Sequence, residues 1–144
     1  MLKGLDPLLG ADLLYVLRAM GHGDELVIVD ANFPAASSGP RVVRLDGISA
    51  TRALEAVLSV LPLDDFVDQA CARMEVVDDP DAVPEVCKEF QQIIKRAEGS
   101  RFQLGRLERF AFYERAGNAF ALVQTGETRL YGNVLLKKGI VRPT

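Results

Sequence analysis

Met20-Gly21-His22-Gly23-Asp24-Glu25-Leu26-Val27-Ile28-Val29-Asp30-Ala31-Asn32-Phe33-Pro34 is the stretch from which the rest of the chain can be read. Leu26 to Val29 form an unbroken aliphatic run bounded by turn-forming residues. Such a run predicts a β-strand, over 25–30, that is buried on both faces as in a parallel sheet. Asp30 then stands where the strand leaves the core, just before Ala31-Asn32-Phe33-Pro34. Ligands of open α/β sheets gather at the carboxyl ends of strands, which makes Asp30 a candidate ligand-binding acid. At the other end sits His22, the only histidine of the chain, between two glycines that leave its backbone open to close approach.

Upstream, Leu13, Leu14, Leu17 and Met20 recur at helical spacing after Pro7-Leu8, and Gly21 supplies a stop. Downstream, a loop of small and turn-forming residues, 34–40, leads to a second strand, Arg41-Val-Val-Arg-Leu45. Ser49 can cap a second helix whose Leu54, Val57, Leu58 and Leu61 share one face. A third strand is expected within 70–77. The third helix is expected from Pro84 to Ala97, with Glu85 and Lys95-Arg96 complementing its macrodipole. A short helix over 107–116 and strands over 119–124 and 133–137 complete the pattern. Only Thr125 to Tyr131 connect the last two strands, too few residues for a parallel crossover, so that pair should run antiparallel. Tyr131 and Asn133 then fall at the end of the sheet that carries Asp30. The alternation predicts a single domain of the α/β class, three layers α/β/α around a mixed, mainly parallel sheet.

Composition excludes several classes of function. The chain has 144 residues, 49% hydrophobic and 26% charged, which are ordinary values for one globular domain. A net charge of −3 with scattered basic residues gives no footprint for nucleic acid. No apolar stretch approaches the roughly 20 residues of a membrane span. Met1-Leu2-Lys3-Gly4 lacks the apolar core of a secretory signal. Cys71 and Cys87 are too few and too far apart for a disulfide framework, and read as buried hydrophobes in a reducing cytoplasm. Gly21-x-Gly23 precedes a strand and lacks a third glycine, so it is no dinucleotide fingerprint. One histidine without a cysteine cluster argues against a zinc site. The acidic runs Asp64, Asp65, Asp68 and Asp78, Asp79, Asp81 match no calcium loop and read as solvated acids.

The remaining chemistry is that of proton exchange and hydroxyl binding. His22 has the side chain whose unperturbed pKa lies nearest neutral pH, which suits an acid–base group, although a loop histidine would look the same. Asp30 can accept hydroxyls or merely cap its turn. Arg109 and Tyr113, four apart, share a helix face. Leu107, Phe110 and Ala111 would anchor that helix to the core, with Phe112 and Ala116 on the Arg109 side. A solvated arginine beside a snorkelling tyrosine gives the same spacing.

Gly21-His22-Gly23-Asp24-Glu25, Asp30-Ala31-Asn32-Phe33-Pro34, Arg109-Phe110-Ala111-Phe112-Tyr113-Glu114-Arg115 and Tyr131-Gly132-Asn133 occur in an order and spacing that resemble the fucose mutarotase / ribose pyranase family. The resemblance runs from Met1-Leu2-Lys3-Gly4 to Lys137-Lys138-Gly139. Gly23, Arg109 and Gly132 stand where the ribose branch has threonine, histidine and alanine, so the chain looks like the fucose branch. The resemblance implies interconversion of sugar anomers without a cofactor, with His22 as the proton donor. It implies contact with a monosaccharide for Asp30, Arg109, Tyr131, Gly132 and Asn133, and less directly for Tyr113. It also implies a ring-shaped homo-oligomer, a decamer.

The strand itself raises a conflict. His22 and Asp30 flank it, and an extended segment of that length separates them by roughly 26 Å. One monosaccharide cannot touch both. Either the strand is much shorter and its flanking loop folds back, or one residue comes from a neighbouring chain. The half-apolar face of Arg109, Phe112 and Tyr113 and the ring that the resemblance implies favour a site between subunits, with His22 and Asp30 from different chains.

Overall fold

β1 (Glu25–Val29) sends Leu26 and Ile28 to one face of the sheet and Val27 and Val29 to the other. All four side chains are fully buried, as the aliphatic run requires. The computed structural model describes residues 1–144. Around β1 lie β2 (Arg41–Leu45), β3 (Cys71–Met74), β4 (Gly105–Leu107), β5 (Ala121–Thr125) and β6 (Val134–Lys137). They form one sheet in the order β2-β5-β1-β6-β3-β4. β1 pairs in parallel with β5, β5 with β2, and β3 with β4. β6 alone runs the other way, antiparallel to both β1 and β3. The sheet is therefore mixed and mainly parallel.

α1 (Ala11–Ala19), α2 (Ala50–Leu58) and α3 (Glu85–Glu98) cover the Leu26 face, and α4 (Arg109–Gly117) covers the Val27 face. The three-layer arrangement is thus the one the alternation predicts. The two faces are unequal: 27 residues join the core under α1, α2 and α3 but only nine the core under α4, which leaves room for a cleft on that side. α2 begins at Ser49, whose hydroxyl accepts the Arg52 N–H at 3.2 Å. α3 presents Val86, Cys87, Phe90, Ile93 and Ile94 to the core, and Phe90 is fully buried. Burial of such a side chain contributes about 2–3 kcal/mol.

Four expectations need correction. The first helix begins at Ala11 and not directly after Pro7-Leu8, because Gly10 supplies its N-cap. β5 and β6 do run in opposite directions, but they are not neighbours: β1 lies between them. β4 is absent from the sequence reading, since three residues on a sheet edge are too few to show alternation. Leu107 belongs to this strand and not to the helix expected over 107–116.

The face of α4 is also the reverse of that expected. The Glu108 carboxylate accepts from the Phe110 and Ala111 amides at 2.9 and 3.1 Å and starts the helix there. Phe112 and Ala116 are fully buried, while Phe110 is 68% exposed. Phe112 meets Phe33 edge-on at 6.2 Å between ring centroids.

Candidate active site

The carboxyl ends of the parallel strands carry a cleft of about 240 Å³, lined among others by Asp30, Arg109, Tyr113, Tyr131 and Asn133. Asp30 is its floor and is 5% exposed. Its amide donates to Asn133 Oδ1 at 2.8 Å, and Asn133 Nδ2 returns a bond to Asp30 Oδ2 at 3.3 Å. The Asn32 amide donates to Asp30 Oδ1 at 3.0 Å. Burial pushes the Asp30 carboxyl above its ordinary range, against the pull of these bonds toward the charged form.

The loop between β5 and β6 is fixed to this floor at several points. The Ala31 amide donates to the Glu127 carbonyl at 2.9 Å, and the Thr125 hydroxyl to the Val29 carbonyl at 2.8 Å. The Glu127 carboxylate accepts from the Ala50 amide and from Arg129, which also bonds Glu89. Tyr131 leaves this loop with φ +63°, a left-handed conformation that costs a tyrosine on the order of 1 kcal/mol. Its phenol oxygen accepts the Val77 N–H at 3.1 Å, so the hydroxyl proton is free to donate. Gly132 is not part of the cleft surface. A Cβ there would lie 2.7 Å from Glu127 Cγ, so glycine is what lets the loop close against the Glu127 side chain.

Arg109 and Tyr113 form one wall, with the guanidinium 5.5 Å from the Tyr113 ring centroid and 5.3 Å from that of Phe110. The Tyr113 ring in turn packs on Phe33 at 5.3 Å. Arg109 has no carboxylate partner and is exposed, leaving its donors open to the cleft.

His22 is not in this cleft. It lies at the opposite end of the sheet, and the five residues of β1 keep it on the order of 15 Å from Asp30. The end of β6 builds its surroundings. The Gly23 amide donates to the Lys138 carbonyl at 2.8 Å, and the Asp64 amide to the Lys137 carbonyl at 3.0 Å. Gly139 is obligatory for this pairing, since a Cβ would meet the Leu63 carbonyl oxygen at 2.4 Å. Asp64 is thereby brought to His22 Nε2, with its Oδ1 at 2.9 Å.

Asp64 is not the solvated acid that its acidic run suggests. Its side chain is 4% exposed, against 43% for His22. Burial pushes its carboxyl up, but the bonds from His22 and the Phe66 amide and the charge of Lys137 outweigh that and hold it below its ordinary range. Nothing in the acidic run singles Asp64 out; only the strand pairing of Leu63 with Lys138 does. Phe66, 65% exposed, lies between the imidazole at 5.2 Å and the Arg142 guanidinium at 5.4 Å.

Residues 3–141 match the sequence model of the RbsD / FucU transport protein family. The chain belongs to the RbsD / FucU family. Among its relatives, the fucose mutarotase of Homo sapiens is 49% identical over 146 residues, covering 97% of this chain and 94% of that one. The L-fucose mutarotase of Histophilus somni is 45% identical over 140 residues, covering 97% of each. The crystal structure of the fucose mutarotase from Streptococcus pneumoniae in complex with L-fucose superposes with a TM-score of 0.89 at 40% identity, covering 98% of this chain and all of that one. Within this RbsD / FucU fold, one chain offers two kinds of chemistry. The carboxyl end presents a small cleft lined by hydrogen-bonding groups, and the amino end presents a half-exposed imidazole hydrogen-bonded to a buried carboxylate. No helix is long and apolar enough to cross a membrane.

Proposed function

We propose that the chain is an isomerase that interconverts the α and β anomers of L-fucose, at a site shared between two copies. The L-fucose complex of a relative 40% identical over nearly the whole chain carries the choice of sugar. Gly23, Arg109 and Gly132, the fucose-type residues of their motifs, agree with it. A cleft of about 240 Å³ suits one monosaccharide.

In the reaction, a base takes the proton of the anomeric hydroxyl while an acid protonates the ring oxygen. The bond from the anomeric carbon to the ring oxygen breaks, and an open-chain aldehyde forms. Rotation about the adjacent carbon–carbon bond turns the other face of the aldehyde to the hydroxyl, and the reverse steps close the ring. His22 is the principal acid–base group, and the hydrogen bond to Asp64 orients its ring. Asp30, Asn133, Arg109 and Tyr131 hold sugar hydroxyls, and Tyr113 supports Arg109. Gly132 contributes through the closeness of the loop and not through a side chain.

Because His22 and Asp30 lie at opposite ends of β1, the imidazole must come from a neighbouring copy. Exposed apolar side chains beside each half favour such a contact: Leu130 and Phe110 near the cleft, and Phe66 beside His22. A ring of copies satisfies every half-site in turn, with ten the size that the resemblance implies. Both cysteines are buried, and burial pushes their thiols up to about 12 and about 11, which suits a reducing cytoplasm.

Subunit mixing tests the shared site. His22→Ala and Asp30→Asn proteins, each inactive in saturation-transfer NMR of L-fucose anomers, should regain part of the exchange when dissociated and reassembled together. Verified mixed assemblies without exchange would refute the shared site. A wild-type protein that broadens sugar signals without transferring saturation would refute catalysis itself.

A further inference from the structure

We infer that this chain carries a second ligand site, for a phosphate monoester, in the cavity centred on Arg73 beneath α3. Arg73 is the only buried arginine, 5% exposed. It points from β3 into a cavity of about 700 Å³ between α3 and the β4 edge, on the opposite face of the sheet from α4. Among the arginines only Arg18, Arg73 and Arg109 lack a carboxylate at ion-pair distance, and the other two are exposed. Arg73 makes one hydrogen bond, from Nη1 to the Met74 carbonyl at 3.3 Å. No fully buried side-chain nitrogen or oxygen lacks a partner. The unbonded Nε and Nη2 groups of Arg73 must therefore reach the cavity.

A guanidinium keeps its charge, so an anion can replace water on these donors in the cavity. Its lining contains no Asp or Glu and adds two further cations, Lys88 and Arg106. Arg106 is already bonded to Asp81 at 2.7 Å, whereas Lys88 is only loosely paired, 3.8 Å from Glu85. Gln91 is fixed by bonds to the Phe102 carbonyl and the Leu104 amide and forms a rigid wall. At the mouth, the Gln69 carboxamide lies where a Cβ on residue 105 would be, 1.7 Å from its Nε2. Gly105 thus lets an amide donor line the same cavity.

A fork of N–H donors with a second cation on the rim matches a phosphoryl dianion better than a carboxylate, which would neutralise one charge only. The volume exceeds that of phosphate and leaves space for the alcohol portion of an ester, such as a phosphorylated sugar. This site is independent of the fucose cleft.

Isothermal titration of the assembled wild-type protein with inorganic phosphate, glucose-6-phosphate and acetate tests it. One saturable site per chain for a phosphate, and none for acetate, is expected at millimolar concentrations. Equal affinity for the two phosphates would mean that the phosphoryl group alone is read; tighter glucose-6-phosphate would mean that the ester is read as well. Arg73→Met should abolish binding. Lys88→Gln, an exposed change that leaves the fold intact, should weaken it about tenfold. Saturating L-fucose should not displace the phosphate. The site is refuted by absence of saturable binding, by affinity unchanged in Lys88→Gln, or by displacement with L-fucose. A carboxylate of a second copy found on Arg73 in a crystal of the assembly would refute it equally.

Discussion

The two ends of the sheet solve opposite problems. At the carboxyl end, Asp30 and Asn133 are buried and hold each other through two hydrogen bonds, with the loop behind them fixed by Glu127 and Arg129. At the amino end, the imidazole of His22 stands 43% exposed on a two-glycine turn, with the Asp64 carboxylate as its hydrogen-bond partner. A group that recognises the pattern of hydroxyls on a sugar gains from being immobile, since every fixed acceptor lowers the ordering cost of binding. A group that passes protons must reach its substrate and keep both charge states accessible. In the reaction proposed above, rigidity is concentrated where recognition is needed, and exposure where proton transfer is needed.

The largest effect expected is on the exposed end. His22→Ala should lower anomer exchange by about 10²–10⁴-fold with the fold intact, as saturation transfer and circular dichroism would read. Near wild-type exchange would remove the division of labour. Asp64→Asn should come next. Asn keeps the acceptor for the Phe66 amide but loses the charge, and exchange should fall roughly tenfold to a hundredfold.

The same variant sharpens the comparison through pH. The folded-state pKa of Asp64 lies below its ordinary value of 3.8. Its stabilisation is therefore present above that value and is lost as pH falls through the depressed one. Asp64→Asn should show a shallower loss of stability in acid than the wild type, measured as thermal midpoint against pH.

At the rigid end, Gly132→Ala should destabilise the chain by about 1–3 kcal/mol, since its Cβ meets Glu127 Cγ at 2.7 Å. Chemical denaturation checks this, and an unchanged midpoint would show that the loop is less fixed than its bonds suggest. The smallest effect belongs to the wall. Arg109→Ala should weaken L-fucose binding about tenfold, the worth of one or two charge-assisted hydrogen bonds, with stability unaltered because Arg109 is exposed.

The sequence was most readable where one residue type had one use. Leu26 to Val29 can only be interior strand, and Ser49 before an apolar periodic stretch can only be a cap. The direction of β6 followed from the length of the connection, which brought Tyr131 and Asn133 to Asp30. The failures share a cause: each depended on contacts distant in sequence. β4 is a strand only because β3 lies beside it. α4 buries Phe112 because Phe33, far away in sequence, packs edge-on against it, which leaves Phe110 outside. Asp64 is a site residue only because residues 62–64 pair beside the end of β6, which no local pattern of aspartates reveals. Arg73 was equally invisible, as an arginine in a short apolar strand.

The position of β6 also bears on how the protein is made. β2, β5 and β1 form one block of the sheet, β3 and β4 another, and β6 is the only strand that touches both. It is also the last strand in the chain. During synthesis, the two blocks have no edge in common until residues 134–137 leave the ribosome, and β1 waits for β5 as well. Helices α1, α2 and α3 can form early, but the surface they pack on is incomplete. Closure of the sheet is therefore a late event dominated by contacts remote in sequence, the regime in which folding is slow and exposed strand edges invite association with other chains. A nascent chain stopped short of Val134 would hold two open half-sheets, with nothing to bring Asp64 to His22.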